Sequence, residues 1–218
     1  MQSANAVCRV TNCSSLQKYD KAKASIDESL RKLKSDYIDL LLIHQPFGDY
    51  YGTYRAMEEA YKAGKVRAIG VSNFYPDRFV DLAEFCEITP AVNQVETHVF
   101  NQQIKLQEVM KEYGTKIMSW GPFAEGRNDF FTNATLQEIG KEYGKSVAQV
   151  ALRYLIQRNI IVIPKSTHKE RMIENFNVFD FALTPDDMAA IAELDTAQTL
   201  FFSHYDPEMV KWLINYSK

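Results

Sequence analysis

Five short apolar runs alternate with longer stretches of helical periodicity along this chain. Runs rich in Ile, Val and Leu are typical of strands buried on both faces, and such strands are usually parallel, with a helix crossing over between neighbours. The pattern therefore predicts an α/β fold with a parallel sheet. The predicted strands are Ile38–His44, Ala68–Asn73, Ala91–Glu96, Lys116–Gly121 and Ile160–Ser166. The predicted helices are Asp20–Lys34, Thr53–Ala63, Asp77–Glu87, Gln102–Tyr113, Asn133–Tyr143, Val147–Arg158 and His168–Phe176.

Polar residues at the ends of these runs indicate where a site would form. Successive steps between the first four are 28, 22 and 26 residues, the length of one strand and one helix. In a parallel barrel the carboxyl ends of all strands form one rim, so these side chains would converge there. Any one of these residues could equally be an isolated loop residue, but five such positions at the ends of successive strands favour a site. They are His44, Ser72–Asn73, Gln94, Trp120 and Lys165–Ser166.

Composition sets broader limits on the function. A chain of 218 residues with 46% hydrophobic content can bury one substantial core. A net charge of −3 argues against nucleic-acid binding, which needs a concentrated basic face. Cys8, Cys13 and Cys86 form no CxxC pair or His/Cys cluster, so no metal or disulfide framework is expected. No signal-peptide pattern and no run of about 18 apolar residues is present, which predicts no membrane span and a cytoplasmic location.

Five segments resemble the motifs of the aldo/keto reductase family, in the order that this family uses. The resemblance covers roughly residues 19 to 214, and the Trp of the fourth segment is most similar to bacterial diketogluconate-reductase-like members. It implies a parallel (β/α)8 TIM barrel and an NADP(H)-dependent oxidoreductase that reduces aldehydes or ketones to alcohols, an alditol:NADP+ 1-oxidoreductase activity. The segments are DYIDLLLIHQP (Asp36–Pro46), GKVRAIGVSNF (Gly64–Phe74), PAVNQVETH (Pro90–His98), SWGPFAEG (Ser119–Gly126) and VIPKSTHKERMIENF (Val162–Phe176).

By this resemblance, one group of residues binds the nicotinamide of NADP. The carboxamide needs hydroxyl and amide partners, and an aromatic wall fixes which ring face meets the substrate. Trp120 would be that wall, and the Gly121–Pro122 turn favours a place at the rim. The alternative for Trp120 is a buried core aromatic. The residues expected at the nicotinamide are Ser72, Asn73, Gln94 and Trp120, and Gly121 and Phe123 of the same motif are expected to bind the cofactor as well.

A second group is expected to hold the phosphate on the adenosine ribose. Such a phosphate favours a cation, a hydroxyl and a guanidinium, and the first N–H groups of a helix add to them, which predicts NADP rather than NAD. The alternative is a solvated helix face with i,i+4 ion pairs, which is preferred for Glu170 but not for Arg171. The residues expected at the phosphate are Lys165, Ser166 and Arg171, and the resemblance adds His168 as a phosphate neighbour, Glu174 and Asn175 near the adenine, and Thr167 among the cofactor-binding residues.

His44 is the one catalytic residue that the resemblance assigns. It ends the run LLIHQP and corresponds to the imidazole that hydrogen-bonds the carbonyl oxygen, a role that needs only its neutral form. Without such a motif, a single His after an apolar strand more often has a structural role than a catalytic one. The catalytic Asp, Tyr and Lys of the family lie in the first third of the barrel, and Asn12 stands where a VTK-like run would place the Lys. No motif assigns Tyr19, Tyr50 or Tyr51 to the role of that tyrosine.

Residues 1–18 match the family poorly, so residues 19–218 are expected to form an incomplete barrel without its first two strands. The missing general acid predicts activity lowered roughly 10²–10⁴-fold. Open sheet edges predict an oligomer or aggregate, whereas a completed barrel would be a monomer. A truncated gene model explains the sequence equally well. A non-catalytic NADP-binding or interaction protein on the same fold therefore stays open beside the reductase.

The tail of the sequence is rich in aromatic residues. In the family this region folds over the mouth of the barrel and shapes the substrate pocket. Phe201, Phe202 and Trp212 are thus candidates to face an apolar aldehyde or ketone. Packing on the outside of the barrel is an equal alternative for Trp212.

Overall fold

A computed structural model describes residues 10–13 and 19–216 of the chain. Strands and helices alternate, and the six strands follow chain order in one sheet. The pairs β1–β2, β2–β3 and β5–β6 are parallel, which confirms the predicted parallel α/β fold. The strands are β1 Val10–Cys13, β2 Leu40–Ile43, β3 Ile69–Ser72, β4 Val92–Glu96, β5 Lys116–Trp120 and β6 Ile161–Val162. The helices are α1 Tyr19–Leu33, α2 Tyr50–Lys62, α3 Pro76–Phe85, α4 Ile104–Glu112, α5 Ala134–Tyr143, α6 Val147–Gln157, α7 Lys169–Phe176, α8 Pro185–Ala192 and α9 Pro207–Tyr216.

The two outer strands of the sheet differ most from the sequence-based expectation. Strand β1 was not among the predicted strands, yet it pairs in parallel with β2, with Val10 opposite Leu40. Strand β6 has only two residues, although Ile160–Ser166 was predicted as extended. Pro164 lacks the N–H group that would continue the ladder, so regular pairing ends before it.

The chain divides into two compact units, of which the first comprises Met1–Asn93, Val109–Thr115 and His204–Lys218. Its core forms because β2 reads LLLI and is buried along its whole length. At Gly70 on β3, an added Cβ would lie 2.6 Å from the backbone oxygen of Val92, so only glycine admits this close approach of two strands. Helices α1, α2 and α3 contribute Ile26, Met57 and Phe79 to the buried residues.

The second unit comprises Gln94–Glu108 and Lys116–Ser203. Gly144, whose φ of 63° is left-handed, is the C-cap of α5, and Ser146, the N-cap of α6, follows after one intervening residue. The start of α6 is a capping box, in which Ser146 Oγ accepts from the Gln149 N–H and the Gln149 side chain accepts from the Ser146 N–H. The apolar face of α6 is buried through Val150, Leu152 and Leu155. Among the described residues, no helix is long and apolar enough to cross a membrane.

Candidate functional site

Three predicted site residues meet after β2 and β3 in the first unit. The register pairs Ile43 with Val71, so His44 follows directly beside Ser72. The Nδ2 atom of Asn73 donates to Ser72 Oγ at 3.1 Å and to the backbone oxygen of His44 at 3.4 Å. Asn73 adopts a left-handed φ of 61°, a conformation that Asn tolerates better than most residues. These contacts fix the two strand ends to each other, with Ser72 and Asn73 buried and the His44 side chain exposed.

The protonation of His44 suits a hydrogen-bond donor rather than a fixed cation. Partial desolvation by the surrounding protein lowers the pKa of His44 below its ordinary value of 6.5. The ring is therefore mostly neutral at pH 7, with one nitrogen carrying a proton and the other accepting.

Each of the three tyrosines considered for the role of proton donor directs its hydroxyl group to a carboxylate. Tyr51 donates to Asp81 on α3, and the Tyr50 hydroxyl lies 3.4 Å from the same carboxylate. Burial, together with Asp81, raises the pKa of Tyr51 above its ordinary range. Tyr19 donates to Glu59 on α2. These contacts give no support for any of the three as the proton donor.

Trp120 ends β5 in the second unit, where its backbone oxygen accepts from the Thr97 N–H at 3.2 Å. Phe201 packs edge-on against the indole, with ring centroids 5.2 Å apart, and Phe202 lies nearly parallel at 6.3 Å. Gly121 then turns the chain with a φ of 65°. Trp120 is only partly buried, unlike a core aromatic, and Gln94, on β4 of the same unit, is half-buried.

A cavity of about 350 Å³ lies between the start of α6 and α7 of the second unit. Six of the predicted cofactor residues line it, with two cations, a hydroxyl and an aromatic ring among them. This lining combines the apolar wall and the few polar groups that small-molecule sites use. The six residues are Phe123, Lys165, Ser166, Arg171, Glu174 and Asn175. Thr167 and His168, also predicted, are exposed and are not among its lining residues.

Hydrogen bonds fix the wall of this cavity. Ser166 Oγ accepts from the His168 N–H at 3.1 Å, which shapes the turn into α7, and His168 is the N-cap of that helix. Across the cavity the Ser146 hydroxyl donates to Glu174, and Gln149 Nε2 donates to the Glu174 backbone oxygen at 3.2 Å. The start of α6 is thus bound directly to α7.

Sequence reasoning missed four of the lining residues. The beginning of α6 at Val147 was predicted correctly, and the pattern Ser-x-x-Gln at 146–149 is the helix-start signal there. Its position beside α7 depends on tertiary packing, which no local pattern shows. The four residues are Phe131, Ser146, Val147 and Ala148.

A wider groove of about 770 Å³ lies along Met172, Ile173, Phe176 and Phe179. It is open and almost wholly apolar, and its only charged lining residues are Lys169 and Asp180. Orientation of a polar cofactor needs convergent polar groups, so this groove is the weaker candidate site. Within residues 10–13 and 19–216, no group of three His, Cys, Asp or Glu side chains is arranged to hold a metal ion.

Comparison with known proteins gives the same picture at the level of sequence. The profile of the "Aldo/keto reductase family" matches residues 8–196. The chain is 45% identical over 181 residues to the 9,11-endoperoxide prostaglandin H2 reductase of Trypanosoma cruzi, and 43% identical over 180 residues to the glyoxal reductase of Bacillus subtilis. Each alignment covers 82% of this chain and 64% of the relative. The chain therefore spans a little under two thirds of the length of these relatives.

Solved structures agree with the fold. An aldo-keto reductase of Bombyx mori in complex with NADP superposes with a TM-score of 0.85 at 33% identity, covering 96% of this chain and 73% of that protein. A protein provisionally named 2,5-diketo-D-gluconic acid reductase B gives a TM-score of 0.85 at 38% identity, covering 93% and 73% respectively. The predicted likeness to an incomplete barrel of this family, and to its diketogluconate-reductase-like members, is confirmed.

Proposed function

Because the chain belongs to the aldo/keto reductase family, we propose that it provides the NADP(H) site and the carbonyl-binding histidine of an enzyme that reduces aldehydes or ketones to alcohols. The observation that carries the proposal is the cavity lined by Phe123, Lys165 and Arg171 together with Ser166, Glu174 and Asn175. The proposed activity is of the alditol:NADP+ 1-oxidoreductase class.

The adenosine end of the cofactor is assigned to this cavity. Lys165 and Arg171 supply two positive charges, and a guanidinium can hold a phosphate through two parallel hydrogen bonds. Ser166 adds a hydroxyl at the turn that leads into α7. A 2′-phosphate would meet these charges, whereas the bare 2′-hydroxyl of NAD would leave them without their counterion. Crystallisation of the Bombyx mori relative with NADP supports the same preference.

The nicotinamide end is assigned to Trp120 and the amide-bearing residues. The indole offers a flat apolar surface on which the nicotinamide would stack. Ser72 and Asn73 present a hydroxyl and an amide that are already held in place by their mutual hydrogen bond. Gln94, in the second unit, is also proposed as a carboxamide partner. Thr167 and His168 are assigned instead to the adenosine end, at the turn that leads into α7.

His44 is proposed to orient the carbonyl substrate. When bound, NADPH supplies the hydride that goes to the carbonyl carbon, while a proton goes to the carbonyl oxygen. Charge develops on that oxygen during the step, and the neutral imidazole can donate a hydrogen bond to it. The lowered pKa of His44 keeps the ring in this neutral form at pH 7. The hydrogen bond from Asn73 Nδ2 to the backbone oxygen of His44 limits the motion of the imidazole that donates.

Binding and turnover are measured separately to test the proposal. Titration with NADPH and NADH, followed by quenching of tryptophan fluorescence, is expected to give at least tenfold tighter binding of NADPH, since one charge-assisted phosphate contact contributes about 1.5–3 kcal/mol. Loss of NADPH absorbance with glyoxal or benzaldehyde then reports reduction. Binding without turnover by the 218-residue chain would favour the alternative, a non-catalytic NADP-binding protein on this fold. Equal affinity for NADH and NADPH would contradict the phosphate assignment.

A further inference from the structure

A buried histidine shortly before α9 has no role in the proposed reaction. His204 is 6% exposed and belongs to the first unit. Its Nε2 atom lies 2.8 Å from Oε1 of Gln45, which is 159 residues away in the sequence. Because Oε1 can only accept, the ring proton lies on Nε2 and the imidazole donates to Gln45. Tertiary packing therefore joins the last part of the chain to the residue that follows His44.

Two aromatic side chains hold the His204 ring in place. Phe47 is 4% exposed and stacks on the imidazole, with ring centroids 5.7 Å apart and an interplanar angle of 23°. Tyr75, the N-cap residue of α3, meets the same ring edge-on at 5.4 Å. The Tyr75 hydroxyl also accepts from the His204 N–H at 3.3 Å. The backbone, the ring face and one ring nitrogen of His204 are thus all bound within the first unit.

The loop that His204 contacts is also held by other side chains. Residues 45–47, here called the adjoining loop, follow His44 directly. Arg78 on α3 donates to the backbone oxygen of Pro46 in this loop. Before the loop, Asn73 donates to the backbone oxygen of His44. The backbone around His44 is therefore fixed by side chains from several elements.

The His44 imidazole itself has no such support. Its side chain is exposed, and within the part of the chain that the structure describes no group forms a hydrogen bond with its ring. The orientation of the ring therefore depends on the backbone of His44 and of the adjoining loop. Gln45 is the first residue of that loop, so the hydrogen bond from His204 acts immediately next to the imidazole.

We infer that His204 is a positioning residue, which holds Gln45 and the adjoining loop and so sets the direction in which His44 presents its imidazole. The inference rests on the proposed function only in taking His44 as the residue that binds the carbonyl oxygen. A hydrogen bond weakens steeply as its angle departs from linear, so a rotation of the imidazole would weaken its bond to that oxygen. His204 thereby affects carbonyl binding through His44 alone.

The energetics favour positioning over simple stabilisation. An apolar aromatic ring in place of the imidazole could stack on Phe47 equally well and would need no hydrogen-bond partner. What the imidazole adds is a donor directed at one atom. Gln45 is half-buried, so its oxygen can accept from water when that donor is lost. Removal of the donor should therefore cost little stability, although it releases the adjoining loop.

The test uses the whole chain and two substitutions at one position. His204→Phe keeps an aromatic ring against Phe47 but removes the donor, whereas His204→Gln loses the ring and keeps an amide donor in place of Nε2. Ile26→Ala, in the core between α1 and α2, is the control for loss of stability alone. Three quantities are measured: the NMR titration midpoint of the His44 imidazole without cofactor, the affinity for NADPH, and the affinity for benzaldehyde in saturating NADP+.

His204→Phe is expected to move the His44 midpoint upward, toward 6.5, because a less restrained imidazole is better solvated. Benzaldehyde affinity should fall about fivefold, the size expected for one neutral hydrogen bond, while NADPH affinity should change less than about twofold. His204→Gln should bring the midpoint and the benzaldehyde affinity back close to the parent values. Ile26→Ala should leave both unchanged, although it unfolds at a lower urea concentration.

An unchanged His44 midpoint or benzaldehyde affinity in folded His204→Phe would overturn the inference. The same conclusion follows from an equal change in Ile26→Ala, or from no recovery in His204→Gln. If His204→Phe does not fold, Gln45→Leu removes the acceptor instead and is judged by the same two measurements.

If the parent chain does not bind NADPH and benzaldehyde, the proposed function fails rather than this inference. The midpoint of His44 without cofactor then still decides whether His204 orients the imidazole, and an unchanged midpoint would reject that role.

Discussion

Asn73 donates a hydrogen bond from Nδ2 to the backbone oxygen of His44, across 3.4 Å. The contact links the ends of two neighbouring strands, and the same amide group also reaches Ser72 Oγ. A residue expected to bind the cofactor therefore supports the backbone of the residue expected to bind the carbonyl. The two roles are coupled through one side chain.

Asn73 can be tested by a pair of substitutions. Asn73→Gly and Asn73→Ala both remove the contacts to His44 and Ser72, but only Ala keeps a Cβ at a φ of 61°. Asn73→Ala is therefore expected to lower the free energy of unfolding by about 1 kcal/mol more than Asn73→Gly, the usual cost of a left-handed conformation. Urea denaturation of the two variants measures the difference. Equal losses would mean that backbone conformation contributes nothing at this position.

Removal of a predicted phosphate contact should weaken the binding of NADPH but not that of NADH. Lys165→Ala and Arg171→Ala are each expected to weaken NADPH binding by about 10–100-fold, because each removes a charge-assisted contact, while NADH affinity changes little. Lys169→Ala is the matched control, since Lys169 carries the same charge on α7 but lines the apolar groove and not the cavity. Calorimetric titration gives both affinities. A similar loss in the Lys169 variant would point to a general charge effect.

The pH dependence of His44 has a definite sign. Desolvation lowers its pKa in the folded chain, so the unfolded chain binds a proton more readily. As pH falls below the ordinary value of 6.5, protonation then favours unfolding, and stability should fall. His44→Gln is expected to make the free energy of unfolding less dependent on pH in this window. A side-chain NMR titration of His44 gives its midpoint directly, and a midpoint above 6.5 would contradict the sign.

Substitutions at Gly144, the C-cap of α5, test how backbone conformation alone affects the free energy of unfolding. Its φ is 63°, and a Cβ added there would meet no atom within 4 Å. Gly144→Ala is therefore expected to lower the free energy of unfolding by about 1 kcal/mol without any clash, whereas Gly144→Asn should cost less, because Asn tolerates this conformation. Thermal unfolding of both variants provides the measurement. A larger loss for Asn than for Ala would argue against the conformational explanation.

The regular elements were the most predictable part of the fold. Strands β2 to β5 were predicted because they combine an apolar run with turn signals on either side, and β2, LLLI, is the clearest case. Strand β1 was missed because Val-Thr-Asn-Cys has too few apolar residues to form such a run. Helices α8 and α9 were not predicted as elements, although Thr184 and Asp187 form a capping box at the start of α8.

Which candidate residues lie together was predictable where they are close in sequence. Lys165, Ser166 and Arg171 lie within seven residues, so one helix start brings them together. Glu96 and His98 were seen only as parts of a motif. Glu96 accepts hydrogen bonds from Thr199 and Leu200, which are more than 100 residues away, and such pairing follows from tertiary packing alone.

Ser146 caps α6 and at the same time donates to Glu174 on the cavity wall. Two sides of the cavity are therefore already bound to each other in the folded chain. Side chains that would otherwise lose rotational freedom on association have lost it during folding. Association with a dinucleotide at this wall should accordingly carry a smaller entropic penalty at Ser146 and Glu174 than it would at two freely rotating side chains.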